Sequence, residues 1–161
     1  MQPEILSALD DLCLHFEPAY HAWQQALPPQ EAAGPNKTAR EILANDIRRL
    51  SYSVARADDT GQHAEFLTAA QMMLHLAPTQ SYLPLDMETS RLRDDIKAHL
   101  PPAAPLAVPE ALLLCRTHAP IHAKPLADAF ARVFDFLQIG DGNLTSPEFS
   151  LSTEFRKLLG I

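Results

Sequence analysis

The sequence predicts an all-α fold, a compact bundle of about seven helices that contains two helix–loop–helix pseudo-repeats. Three observations lead there. Apolar residues recur at three- and four-residue spacing through most of the 161-residue chain, which is the period of one face of an α-helix. No segment alternates apolar and polar residues as a half-buried strand does. Shifting the chain by 83 positions places Ile47 on Phe130, Leu50 on Val133, Val54 on Leu137, Met72 on Phe155 and Leu76 on Leu159. The same shift places Asp58 on Asp141, Glu65 on Glu148 and Phe66 on Phe149.

The elements follow in order. Ile5, Leu6, Leu9, Leu12, Cys13 and Phe16 make one amphipathic face. Pro18 is expected to kink or break this helix, because proline removes a backbone donor, before residues 20–27 continue it. Residues 28–37 read as a loop. Thr38 followed by Glu41 is a capping-box signature, and opens a helix with Ile42, Leu43, Ile47, Leu50, Val54 and Ala57 on one side. That helix stops at Asp58-Asp59-Thr60-Gly61. Residues 63–76 form the next helix, with Phe66, Leu67, Ala70, Met73 and Leu74 expected to face inward. Beyond Pro78, residues 86–100 make a charged helix, and residues 101–109 a stiff proline-rich connector. Residues 110–118 form a short apolar helix bounded by Pro120. Residues 123–140 carry Leu126, Phe130, Val133, Phe134 and Leu137 in helical register, and residues 146–159 close the chain.

One domain over residues 1–161 is expected, since a chain of this size can bury a sizeable core. Its parts are an N-terminal extension and loop (1–37), a first repeat (38–77), connecting helices (78–119) and a second repeat (120–161). The formal charge of −7 speaks against nucleic acid, which needs clustered Lys and Arg to displace counterions. No apolar run is long enough to insert in a bilayer, and Met1-Gln2-Pro3-Glu4 lacks the basic start of a secretion signal. Cys13 and Cys115 read as reduced, buried small hydrophobes of a cytoplasmic protein.

The two loops carry the only pattern with metal-binding chemistry. Against the calcium-binding EF-hand loop, in which a glycine at position 6 and a glutamate at position 12 frame the oxygen ligands, Gly142 takes position 6. Asp141 then takes position 5, Asn143 position 7, Thr145 position 9 and Glu148 position 12. Positions 1 and 3 fall on Leu137 and Ile139, which cannot ligate. What remains is a hard-oxygen half-site for calcium or another divalent cation, echoed by Asp58, Asp59, Thr60 and Glu65. The same residues also serve as turn and cap chemistry. Asp-Gly-Asn tolerates positive φ, and Thr145-Ser146-Pro147-Glu148 is a capping box with proline at an early helical position. Both readings stand at this point.

Other constellations are weaker. Cys115, His118 and His122 lack the fourth ligand that a tetrahedral zinc needs, and Pro120 interrupts their helix. Asp10-Asp11 and Asp94-Asp95 are sequence neighbours, so their side chains diverge on a helix. Five glycines, none clustered, make no phosphate-cradling loop. Cys13 has neither a base nor an electropositive setting in the sequence.

At Gly140-Asp141-Gly142-Asn143-Leu144-Thr145-Ser146-Pro147-Glu148 the chain resembles the tellurite-resistance TerB-like family, whose small helical domains carry such a loop in two copies. Ala57-Asp58-Asp59-Thr60-Gly61-Gln62-His63-Ala64-Glu65 resembles the same pattern, with Asp59 where the pattern has glycine. Residues 120–159 also look like the second half of TerB-like modules that precede AAA+ ATPase domains. The resemblance implies a bacterial, cytoplasmic, non-enzymatic module of stress-response or phage-defence systems that docks a protein partner or an adjoining AAA+ domain. It implies metal-binding acids at Asp58, Glu65, Asp141 and Glu148. The alternative is a calcium-responsive, EF-hand-like sensor. By elimination, residues 86–100 and 101–109 are the expected contact surfaces.

Overall fold

The computed structural model describes residues 1–32, 37–57, 63–77, 90, 91, 94, 98, 106–138 and 146–161. These residues are helical in the main, and no strand occurs among them. The helices are α1 (Pro3–Ala26), α2 (Pro29–Ala32), α3 (Ala39–Ala57), α4 (His63–Leu76), α5 (Glu110–His118), α6 (Ala123–Gln138) and α7 (Ser146–Leu159). A turn of 3-10 helix, Pro120–His122, joins α5 to α6. The described residues therefore hold six helices of nine residues or more and one single turn, α2, close to the expected seven. Of the charged helix expected over residues 86–100, Ser90, Arg91, Asp94 and Ala98 are described, and all four are helical.

Pro3 fits the first turn of α1, where its missing amide has no intrahelical acceptor, and the Gln2 carbonyl accepts from the amides of Ile5 and Leu6, each at 3.1 Å. Pro18 does not end this helix; α1 runs through it. The carbonyl that Pro18 leaves without its helical donor belongs to Leu14, which is 63% exposed. Both residues lie on the solvent side, where water can take the donor's place, so the cost expected of an interior proline is softened. Buried Ile5, Ala8, Leu9, Leu12, Phe16 and Ala19 mark the opposite, core-facing side. The segment expected as a loop after α1 contains the extra helical turn α2, opened by Pro29 in the position that proline favours.

The Thr38 cap is present: the Glu41 amide donates to Thr38 Oγ1 at 3.2 Å, and α3 begins directly after Thr38. Ile42, Leu43, Ile47, Leu50 and Val54 are all buried, as their spacing requires. On α4 three of the residues expected to face inward, Ala70, Met73 and Leu74, are buried. Ala69, Met72, Met73 and Leu76 join the main core, whereas Leu67 is only half-buried. Ala70 and Leu74 are buried but outside that cluster. An apolar stretch such as Phe66–Leu76 offers two plausible stripes, and packing against α3 selects between them. The side chain of Phe66 lies outside the described residues.

Helices α3 and α4 pack as a pair, as do α6 and α7. Across the pairs α3 touches α7, α4 touches α6 and α3 touches α6. Helix α1 lies against α3, α5 and α6, and so spans both pairs. Among the described side chains, the ten apolar positions matched by the 83-residue shift, Ile47, Leu50, Val54, Met72 and Leu76 with Phe130, Val133, Leu137, Phe155 and Leu159, are at most 3% exposed. The same shift carries the bounds of α4 onto those of α7. The centre is aromatic. Phe16, Phe130, Phe134 and Phe155 are fully buried, and the rings of Phe134 and Phe155 stand 4.4 Å apart between centroids.

Helix α7 ends in a glycine cap. Gly160 has φ +81°, the Gly160 amide donates to the Lys157 carbonyl, and the Ile161 amide donates to the Arg156 carbonyl, each at 3.1 Å. This pair of bonds closes a Schellman motif, which needs a residue that accepts left-handed backbone. Arg116 of α5 adds a bond from its guanidinium to the Leu159 carbonyl at 3.0 Å.

Candidate functional site

Of the six residues singled out as metal ligands, Asp58, Asp59, Asp141 and Asn143 lie outside the described residues. Glu65 and Glu148 each occupy the third position of a helix, α4 and α7 respectively. Nothing further is described of their side chains. Among the described residues no group of three or more His, Cys, Asp or Glu is arranged to hold a metal ion. In the segment considered for zinc, the Cys115 thiol is turned to backbone instead, its Sγ 3.4 Å from the Ala119 carbonyl oxygen. His122 lies beside a histidine from another element, His15 of α1, their rings tilted at 40° with 5.8 Å between centroids. Nothing in the local sequence pairs those two.

The paired acids on α1 diverge as expected. Asp10 lies 3.8 Å from His75 Nε2 on α4, and Asp11 takes an ion pair with Arg132 of α6. A second polar tie closes the α6–α7 pair. Asp135 accepts from the Ser152 hydroxyl and from Arg156, both at 2.6 Å. By the 83-residue shift the counterparts of these three are Tyr52, Ala69 and Met73, so the sequence does not repeat this polar set in the first pair.

Among the described residues, two of the surface clefts flank α3. The larger, about 440 Å³, lies between α1 and α3 and is lined by Cys13, Glu17, Tyr20, His21 and Arg40 among others. Its polar groups are largely engaged, with one another or with nearby backbone. The Tyr20 hydroxyl donates to the Lys37 carbonyl at 2.7 Å, His21 Nε2 lies 3.5 Å from Glu17, and Arg40 donates to the His75 carbonyl at 3.3 Å. Burial raises the Cys13 thiol above its ordinary value; Arg40 opposes this, and the charges of Asp10 and Glu17 add to it. A thiol so raised stays protonated near neutral pH, the wrong state for a nucleophile. The smaller cleft, about 260 Å³, runs along the other side of α3 past Lys37, Glu41, Asn45, Arg48, Met73 and Ala77.

The most unusual titratable group is one that the motifs of the sequence do not single out. Asp46 sits in the middle of α3 and is only 2% exposed. Its two carboxylate oxygens accept from the backbone amides of Glu110 at 2.9 Å and Ala111 at 3.0 Å. It thereby caps the N-terminus of α5, whose own N-cap residue, Pro109, supplies no side-chain bond. Burial pushes the Asp46 carboxyl up to about 6. The two amide bonds and Arg49, whose guanidinium is 3.9 Å away, pull it down, and the like charge of Glu110 pushes it further up. Two signals in the sequence bear on this site. Asp46 falls at helical spacing between Leu43 and Leu50, inside the apolar stripe, and Val108-Pro109-Glu110 opens a helix with no Ser, Thr, Asp or Asn to cap it.

A second buried polar residue is Gln138, the last residue of α6. It is wholly buried, and among the described residues neither its Oε1 nor its Nε2 has a hydrogen-bond partner.

No helix among the described residues is long and apolar enough to cross a membrane. Compared with protein-family models, with curated proteins and with solved structures, the chain gives no significant match.

Proposed function

We propose that this chain is a non-enzymatic, TerB-like helical module of two helix–loop–helix repeats. It works by docking a protein partner or adjoining domain, such as an AAA+ ATPase, in a bacterial stress-response or phage-defence setting. A divalent cation at the acidic loops, held by Asp58, Asp59 and Glu65 in one and by Asp141, Asn143 and Glu148 in the other, sets loop order. The observation that carries this reading is the register between the halves. A shift of 83 residues aligns ten buried positions, the bounds of two helices and the acids of two loops. Chance registry of one helix is common; registry across both members of two packed pairs is a stronger sign of duplication.

The chemistry of the loops limits which ion they would take. Carboxylate, carbonyl and hydroxyl oxygens suit calcium or magnesium, and no thiolate or imidazole stands in either ligand set. Calorimetric titration of the full chain with Ca²⁺, Mg²⁺ and Zn²⁺ tests the cation. Saturable heat with Ca²⁺ or Mg²⁺ is expected, together with a raised melting temperature, because a ligand specific to the folded state stabilises it. Absence of both at millimolar ion removes the metal from the proposal. The partner is tested separately, by the coding neighbourhood: an adjoining AAA+ or tellurite-type gene is expected, and a setting of unrelated metabolic genes counts against it. The alternative, a calcium-responsive sensor, requires that Ca²⁺ change the angle within a helix pair, read as ion-dependent chemical-shift changes in the cores of α3–α4 or α6–α7 and not in the loops alone.

A further inference from the structure

We propose that His15 and His122 form a two-imidazole site for a borderline-soft divalent metal ion, of which Zn²⁺ is the simplest probe. The ion would clamp α1 to the corner between α5 and α6. The two imidazoles come from elements far apart in sequence, His15 from α1 and His122 from the end of the 3-10 turn Pro120–His122. Their ring centroids are 5.8 Å apart and their planes are tilted by 40°, so the rings are not stacked face to face. An ion bound to both stands roughly 2.0–2.1 Å from each nitrogen, so two nitrogens up to about 4 Å apart can share it. Each nitrogen stands off its own ring centroid. Rotation about the terminal side-chain torsion, which is broad for histidine, brings one nitrogen of each ring into that range.

Two further observations point to the same place. The Nδ1 atom of His15 is buried and, among the described residues, has no hydrogen-bond partner. A covered polar atom left unbonded costs free energy, and coordination of a metal ion satisfies it. The backbones that carry the two rings are also fixed to each other. The Cys115 Sγ lies 3.9 Å from the His15 carbonyl oxygen and 3.4 Å from that of Ala119. The His122 amide in turn donates to the Ala119 carbonyl at 3.0 Å. The turn packs on α1, α5 and α6, and ligands held on packed elements lose little freedom when an ion arrives. Cys115 is buried and engaged with backbone, which makes it a positioning residue and not a third ligand.

The ligand atoms select the ion. Neutral imidazole suits zinc, copper and nickel, whereas calcium and magnesium take oxygen. Among the described residues no third His, Cys, Asp or Glu joins the pair to complete a cage. Water fills the other coordination positions, so the ion exchanges more readily than one in a closed four-ligand site. This chemistry is distinct from that of the acidic loops, and the site stands whether or not those loops hold a cation.

Zn²⁺ titration of the full chain in millimolar Ca²⁺ and Mg²⁺, followed by NMR through the ring signals of its seven histidines, tests the pair. The ring signals of His15 and His122 are expected to shift together and saturate, and the melting temperature to rise with Zn²⁺. His15→Gln and His122→Gln should each weaken binding by about tenfold or more, because a lone imidazole has no second ligand held at high effective concentration. The double variant should bind no more weakly than either single one, which is the mark of a shared ion. His118→Gln, which removes the histidine in the last turn of α5, leaves the affinity unchanged. No saturable shift at His15 and His122 up to millimolar Zn²⁺ overturns the proposal. An affinity lost in His118→Gln but kept in His15→Gln does so too. If His15→Gln does not fold, the ring shifts of the wild-type chain and His122→Gln decide the matter.

Discussion

At the scale of single residues, burial sets what each side chain can do. Asp46 shows this most clearly, because a polar residue inside an apolar stripe must find partners, and it finds them on α5. Its carboxyl is raised from 3.8 to about 6, so its contribution to stability is fully present below pH 4 and lost as pH rises through 6. A rise of that size corresponds to roughly 3 kcal/mol. Urea unfolding of the wild-type chain and Asp46→Asn between pH 4 and pH 7.5 should show their stabilities drift apart by an amount of that order. The wild type is expected to lose ground as pH rises. The aromatic centre gives a larger, pH-independent effect: Phe155→Ala removes a fully buried ring packed at a tilt against Phe134 and is expected to cost about 3–5 kcal/mol. The thiols supply a third check. Burial raises both Cys13 and Cys115, and Cys115 is wholly enclosed. A thiol reagent at neutral pH should therefore modify Cys115 only as fast as the chain opens.

At the scale of elements, caps and prolines decide where helices begin and end. Thr38→Ala removes the side-chain bond to the Glu41 amide and should lower stability by about 1 kcal/mol in chemical denaturation. Gly160→Ala forces a β-carbon into φ +81° and should cost about 1 kcal/mol. Pro18→Ala is expected to act in the other direction and raise the melting temperature, because it restores a donor to the Leu14 carbonyl within an unbroken helix. These elements were legible in the sequence to very different degrees. The core faces of α3 and α6 were readable because their apolar residues form a single stripe, Ile42 to Val54 and Leu126 to Leu137. The face of α4 was readable only in part: Ala70, Met73 and Leu74 are buried as expected, but a helix apolar on most sides has no unique stripe, and Ala69, Met72 and Leu76 join the main core as well. Pro18 departs from expectation because local chemistry foresees a break, whereas tertiary packing holds α1 together on both sides of it. The Asp46 cap and the His15–His122 ring contact join residues many positions apart. No local pattern announces a partner at that distance.

At the scale of the whole molecule, α1 is the element that makes two helix pairs into one core. It packs against α3 of the first pair and α6 of the second, and the buried residues of all three belong to one cluster. Unfolding should therefore be a single cooperative event, with far-ultraviolet dichroism and the fluorescence of the sole tryptophan, Trp23, giving coincident transitions. Separated transitions would indicate that the two pairs fold independently. The duplication proposed for the chain was readable at this scale, because a fixed shift preserves apolar register even where few residues are identical. The loops that would carry its chemistry were readable only as composition. Acids at matching positions are consistent with ligands and with helix caps alike, and Asp58, Asp59, Asp141 and Asn143 fall outside the described residues. The most direct measurement is calcium titration, by calorimetry, of the full chain beside the double variant Glu65→Gln, Glu148→Gln. Saturable heat and a raised melting temperature in the wild-type chain, both lost in a folded double variant, are the expected result. Equal heats in the two proteins, or none in either at millimolar calcium, would contradict a metal-ordered pair of loops.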